Sequence, residues 1–226
     1  TCSGAGGIVE NCVNAATITG ATGAGGIASE FLYFKSANKK NPGSWSGIIK
    51  NCYNTGEVIS RCEGTGSSYV GGITGKNNGT NSPTSILNII DNCYNVGTVR
   101  AEKTSSVYVG AISGYQTDAT ATNLYYLDNS AKKGLALALR TDKTAVVAKT
   151  EEELKSAYFL ASLGDGFKKD LGKINNGYPV LAWQTSEGPD EPDVPVTEAY
   201  TISARKDSQI NIGEDATVTL TVTNDN

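Results

Sequence analysis

The chain has 226 residues, 26 of them Gly and none His or Met, with 19 basic against 23 acidic side chains for a net charge of −4. The missing His excludes a Ser-His-Asp triad, a Cys-His dyad and a His-bound zinc. No apolar run reaches the ~18 residues that would span a bilayer, and the acidic balance lacks the basic footprint of a nucleic-acid binder.

No basic or apolar leader opens the chain at Thr1, so a signal peptide is expected to be absent or already removed. A repeat then dominates. Gly7-Ile8-Val9-Glu10-Asn11-Cys12-Val13-Asn14 returns as Gly47-Ile48-Ile49-Lys50-Asn51-Cys52-Tyr53-Asn54, then as Asn88-Ile89-Ile90-Asp91-Asn92-Cys93-Tyr94-Asn95. A worn fourth copy, Thr120-Ala121-Thr122-Asn123-Leu124-Tyr125-Tyr126, has Leu124 at the Cys position. Each full copy leads into a second element: Ala16-Thr17-Ile18-Thr19, Gly56-Glu57-Val58-Ile59, Gly97-Thr98-Val99-Arg100. A third element interleaves: Ala24-Gly25-Gly26-Ile27-Ala28, Val70-Gly71-Gly72-Ile73-Thr74-Gly75, Val109-Gly110-Ala111-Ile112-Ser113-Gly114.

Val, Ile, Thr and Tyr fill the short apolar runs, while Gly and Asn fall between them, where a chain turns with positive φ. Short strands with sharp corners, repeated in order, predict an all-β fold. Over residues 1–130 the expectation is a right-handed parallel β-solenoid of about three to four coils, because one repeat cannot bury its apolar face and stacked repeats can. Equivalent residues would then stack about 4.8 Å apart. Cys12, Cys52 and Cys93 would form an inward column closed by Leu124. Asn11, Asn51, Asn92 and Asn123 would form an amide column, and Asn14, Asn54 and Asn95 another, each able to satisfy corner backbone. Tyr53 and Tyr94 would point outward and stack on each other.

The pattern Gly-Gly-Ile-x-Gly, then Ile-x-Asn-Cys-Tyr-Asn-x-Gly-x-Val, resembles the GLUG-type repeats of bacterial surface proteins. Those repeats occur in large exported Gram-positive proteins, including some adhesins and IgA-peptidase-like proteins. Residues 150–184 resemble the segment that often follows such repeats: a short helix, a Phe, then Ile174-Asn175-Asn176-Gly177-Tyr178-Pro179-Val180-Leu181-Ala182-Trp183-Gln184. The resemblance covers roughly residues 4–185. It implies an extracellular, cell-wall-attached protein, anchored through a region beyond this sequence, and it carries over no catalytic residue.

Within residues 131–186, expected to be a C-terminal cap of the solenoid, Thr150-Glu151-Glu152-Glu153 has the form of a capping box. Leu154, Phe159, Leu160 and Leu163 follow at helical spacing and Gly164 stops the run, which predicts one short helix covering the exposed solenoid end. Charge then shifts. Residues 1–130 hold 8 basic and 8 acidic groups, residues 131–186 hold 9 and 6, and residues 187–226 hold 2 and 9. Residues 187–197 read as an acidic, Pro-rich extended linker. Alternation at Tyr200, Ile202 and Ala204, and at Val218, Leu220 and Val222, makes residues 198–226 resemble the first strands of a truncated immunoglobulin-like or cohesin-like sandwich. The alternation runs to the last residues, so the chain is expected to be a piece of a longer protein.

Of the five cysteines, the register makes Cys12, Cys52 and Cys93 buried, unreactive thiols, with a Cys52–Cys62 bridge as the less favoured alternative. No metal site or cofactor is expected. Three places could carry function. Residues 29–46 interrupt one repeat and contain Phe31, Tyr33, Phe34, Lys39, Lys40 and Trp45, which suit a glycan or protein partner; the blander and favoured reading packs the aromatic residues against the solenoid. The Tyr53–Tyr94 column, with Lys50 and Asp91, could dock a polysaccharide or be a solvated strand face. A glycosidase would need two carboxylates about 5–9.5 Å apart, yet Glu10, Glu30, Glu57, Glu63, Asp91, Glu102, Asp118 and Asp128 do not converge by motif, and Lys50 falls between Glu10 and Asp91. Asn78-Gly79-Thr80 formally matches a glycosylation acceptor but reads as an exposed loop. The expected function is therefore non-catalytic: a rigid stalk or adhesin module displaying loops to host or environmental glycans or to a surface protein. The alternatives are a β-helix polysaccharide lyase or glycosidase, and the targeting module of a larger exported protease.

Overall fold

The computed structural model describes residues 7–32, 34–35, 44–45, 47–62, 66–79, 88–103, 107–139, 142–184, 200–204 and 220–224; at 34–35, 44–45, 200–204 and 220–224 it describes the backbone. The chain divides into two units, residues 1–186 and 187–226.

The first unit is built from parallel sheets visited in rotation. Sheet A orders Ile8–Glu10, Ile48–Lys50, Asn88–Asn95, Ala119–Leu127 and Val146–Lys149, with Val13–Asn14 and Tyr53–Asn54 alongside. Sheet B holds Ile18–Gly20, Val58–Ser60 and Val99–Ala101; sheet C holds Gly23–Gly25, Ser68–Gly71 and Val107–Gly110. Sheet D holds Ala28–Leu32, Thr74–Asn78, Ser113–Thr117 and Leu135–Leu139. Like elements pair with like. Ile8 lies opposite Ile48, Ile48 opposite Ile89, and Val58 opposite both Ile18 and Val99. Cys93 lies opposite Leu124, and Leu124 opposite Val146. The later steps are shorter because the chain passes from sheet A at Leu127 to sheet D at Leu135 without adding a strand to sheets B or C.

Backbone geometry accounts for the repeated Asn before each Cys. Asn11, Asn51, Asn92 and Asn123 have φ of 55°, 49°, 52° and 48°, in the left-handed region that Asn tolerates better than other side-chain-bearing residues. The amide column forms in part: Asn92 Nδ2 donates to Asn51 Oδ1 at 2.8 Å. The second column is a continuous ladder. Asn14 Nδ2 donates to Asn54 Oδ1, and Asn54 Nδ2 to Asn95 Oδ1, both at 2.7 Å. Each amide also donates to a carbonyl two residues on, at Ala16, Gly56 and Gly97. These bonds let fully buried Asn54 and Asn95 sit in the interior without an orphaned donor. The ladder also explains one glycine, since a Cβ on Gly72 would come within 2.3 Å of both the Ala111 carbonyl oxygen and the Asn95 side chain.

The apolar core is columnar too. Ile49 and Ile90, Ile73 and Ile112, and Cys52, Cys93 and Leu124 pack together, all wholly buried. Cys12 is half-buried at the first repeat. Cys52 Sγ donates to the Lys50 carbonyl at 3.1 Å and Cys93 Sγ to that of Asp91 at 3.2 Å. No disulfide joins Cys52 to Cys62.

Residues 150–184 depart from expectation in two ways. The expected single helix is two, α1 (Glu151–Lys155) and α2 (Ala157–Leu163). Ser156 divides them with an extended backbone, and its Oγ accepts the Phe159 N–H at 3.1 Å, capping the second helix as the first ends. The expected capping box at Thr150 and Glu153 is present. The segment also lies along a flank of the sheets, where a cover over their end was expected. Phe159 packs on Tyr125 and Tyr94, and Phe167 on Tyr94 and Tyr53. Asn92 Nδ2 donates to the Leu163 carbonyl at 2.9 Å, and Trp183 Nε1 donates to that of Asn11 at 2.9 Å. The segment thus runs back from the fourth copy of the motif to the first. It covers the aromatic column of Tyr53, Tyr94 and Tyr125 and buries its own Leu154, Phe159, Leu163 and Phe167 against it.

In the second unit, Tyr200–Ala204 pairs antiparallel with Leu220–Asn224. The expected linker, residues 187–197, lies outside the described residues. Among the described residues no helix is long and apolar enough to cross a membrane.

Candidate binding surface

Three of the candidate binding residues, Phe31, Tyr53 and Tyr94, are buried. Tyr53 and Tyr94 stack as expected, with ring centroids 5.0 Å apart and planes within 1°. They do not face solvent, however: Tyr53 is 2% exposed and Tyr94 0%. Strand alternation turns them away from the core, toward the returning flank segment. Tyr53 OH bonds Gln184 Oε1 at 2.8 Å; Tyr94 OH donates to the Pro179 carbonyl and accepts from Asn175 Nδ2 at 2.9 Å. Burial pushes the Tyr94 phenol well above the usual tyrosine range and raises Tyr53 as well. Burial likewise pushes the Cys93 thiol well up, which suits a packed rather than a reactive sulfur.

Phe31, from the insertion, is 4% exposed and belongs to the core, as the packing alternative required. Trp45 and Phe34 are opposed in a small antiparallel ladder, Phe34–Lys35 against Ser44–Trp45. The side chain of Trp45, and the whole of Tyr33, Lys39 and Lys40, lie outside the described residues. Lys50 stands in register between Glu10 and Asp91. Exposed Arg100 and Glu57 form an ion pair at 2.6 Å. Among the described residues no three His, Cys, Asp or Glu side chains are placed to hold a metal ion.

A different set of aromatic residues comes together on sheets C and D. Tyr69 and Tyr108 are in register on neighbouring strands and stack at 5.2 Å, 15° from parallel. Tyr115 approaches Tyr69 at 5.2 Å, tilted by 54°. Lys76 is in register with Tyr115, and its Nζ lies 6.0 Å from the centre of the Tyr69 ring. Their orientation follows from alternation: Val70 is wholly buried, so Tyr69 beside it points to the opposite face. All four side chains are half-buried. Flat apolar rings, hydroxyl edges and an ammonium group make a surface suited to a sugar ring or a peptide. The signal is in the sequence, since Tyr69-Val70-Gly71 and Tyr108-Val109-Gly110 repeat where the Gly-Gly-Ile element begins.

Compared with known proteins, the chain matches no family model, no curated protein and no solved structure.

Proposed function

We propose that the chain is a non-catalytic module of an exported bacterial surface protein: a right-handed β-solenoid of about three to four coils that holds a binding surface rigidly and presents it to a glycan or a protein. The observation that carries this reading is the register. Strands pair repeat on repeat, so Ile, Cys and Asn columns consume the interior, and variation is left to the outer faces and connections. An interior so filled offers rigidity rather than a reaction centre. The resemblance of the Asn-Cys and Gly-Gly-Ile motifs to GLUG-type repeats supports the extracellular, wall-attached setting, and supports reading residues 198–226 as the opening strands of an immunoglobulin-like neighbour. Ligand contact is assigned to the Tyr69, Tyr108, Tyr115 and Lys76 surface, with the insertion loop as a second element of display.

Affinity electrophoresis against a panel of neutral and acidic polysaccharides tests this. The native chain should be retarded by at least one polymer, and Tyr69→Ala or Tyr115→Ala should abolish the retardation in a chain that still folds, with a melting temperature lowered only by the lost ring contacts. Release of shortened or unsaturated oligosaccharides, lost on replacing one carboxylate, would show a lyase or glycosidase instead.

A further inference from the structure

Sheets B and C end on strands Val99–Ala101 and Val107–Gly110, because the chain bypasses both sheets on its last circuit. Among the described residues no strand lies beyond either one. Residues 128–134 cross this end and touch it at its margins. Val99 N–H donates to the Ser130 carbonyl at 2.9 Å, and Ala111 N–H to that of Lys133 at 2.7 Å. Between the two contacts lies a groove of about 740 Å³. Its floor includes Val99, Ala101, Val107 and Val109, the two edge strands themselves. Its charged lining is Lys103, Lys132 and Lys133 against Asp128 alone, and the three lysines are exposed. Tyr108 also lines it; one face of that ring is taken by Tyr69.

An edge strand offers a row of backbone donors and acceptors to any extended chain that can approach it. Here that edge lines a groove bordered by three ammonium groups against one carboxylate. We propose that this groove is a strand-addition site for an extended acidic segment of a partner protein. The partner's main chain pairs with the edge of Val107–Gly110, its carboxylates meet Lys103, Lys132 and Lys133, and an aromatic side chain extends the Tyr69–Tyr108 stack by one ring. Main-chain pairing supplies affinity and the lysines select for charge, as in other strand-addition interfaces. The groove shares Tyr108 with the ligand surface proposed above, while its edge strand and its three lysines lie outside that surface.

The test uses the full chain and a fluorescein-labelled peptide of about six residues, a strand's length, alternating Glu with Val and Tyr. Fluorescence anisotropy should report saturable binding that weakens with salt. The double variant Lys132→Glu, Lys133→Glu should weaken it at least tenfold with unchanged melting, since both side chains are exposed. A peptide N-methylated at alternate amides, equal in charge but unable to pair, should also lose at least tenfold. Hydrogen exchange at Val107–Gly110 should slow when the unmodified peptide binds. Three results would overturn the proposal: no saturable binding; equal binding of the methylated peptide without protection of that strand, which would mean simple ion attraction; or tighter, competing binding of a uronic-acid oligosaccharide, which would make the groove a glycan site.

Discussion

At the scale of single residues, polarity inside the sheets is tolerated because it is organised into lines. The buried Cys52 thiol donates to the Lys50 carbonyl, and the Cys52 backbone N–H donates to the Cys93 sulfur. Cys52→Ser replaces a soft hydrophobe by a hydroxyl in an apolar column. It should lower stability by about 1–3 kcal/mol, read as a shifted denaturation midpoint, and native Cys52 should resist thiol reagents until the chain unfolds. Ready labelling of Cys52 in the native state would contradict its burial. The tyrosines give a second prediction. Burial raises the phenols of Tyr94 and Tyr53 above the usual value near 10. The unfolded chain therefore loses these protons first, so stability is intact below about pH 10 and falls as pH climbs past it. Burial raises Tyr178 too, so phenolate absorbance should show three tyrosines titrating late or together with alkaline unfolding, and Tyr53→Phe, Tyr94→Phe should reduce that late phase to Tyr178 alone.

Among the elements, the flank segment has its own local logic. Ser156 ends α1 and caps α2, so one hydroxyl fixes the bend that seats Phe159 against Tyr94 and Tyr125. Ser156→Ala should cost about 1 kcal/mol and raise protease sensitivity around residues 150–164 before the sheets unfold. Much of this architecture is legible in the sequence. The columns follow from matching motifs, because in a strand the choice of face is local: if Cys52 points in, Tyr53 points out. What covers an outward residue is not local. Tyr53 and Tyr94 looked solvent-facing because their cover, Phe159 to Gln184, lies far along the chain, and its apolar residues suit an end and a flank equally. The tyrosine surface at Tyr69, Tyr108 and Tyr115 was readable from the repeat, whereas the groove was not, because it arises where the repeat stops being followed.

For the whole molecule, the flank segment is the part that integrates the repeats. It touches the first copy of the motif through Asn11, the second through Tyr53, the third through Asn92 and Tyr94, and the worn fourth through Tyr125. A stack whose repeats met only their neighbours would unravel stepwise from an end. With the segment in place, residues 7–184 should unfold in one transition that coincides by fluorescence and circular dichroism. A chain ending at residue 149 should instead bare the tyrosine column, bind an apolar dye strongly and melt over a broader range at lower temperature.

That return path also decides how the molecule would bear tension. Trp183 is hydrogen-bonded beside Asn11, so the chain enters and leaves the described body at the same end. Force applied between Gly7 and Gln184 in a single-molecule experiment should therefore be borne first at the Trp183–Asn11 and Gln184–Tyr53 contacts, ahead of the later repeats.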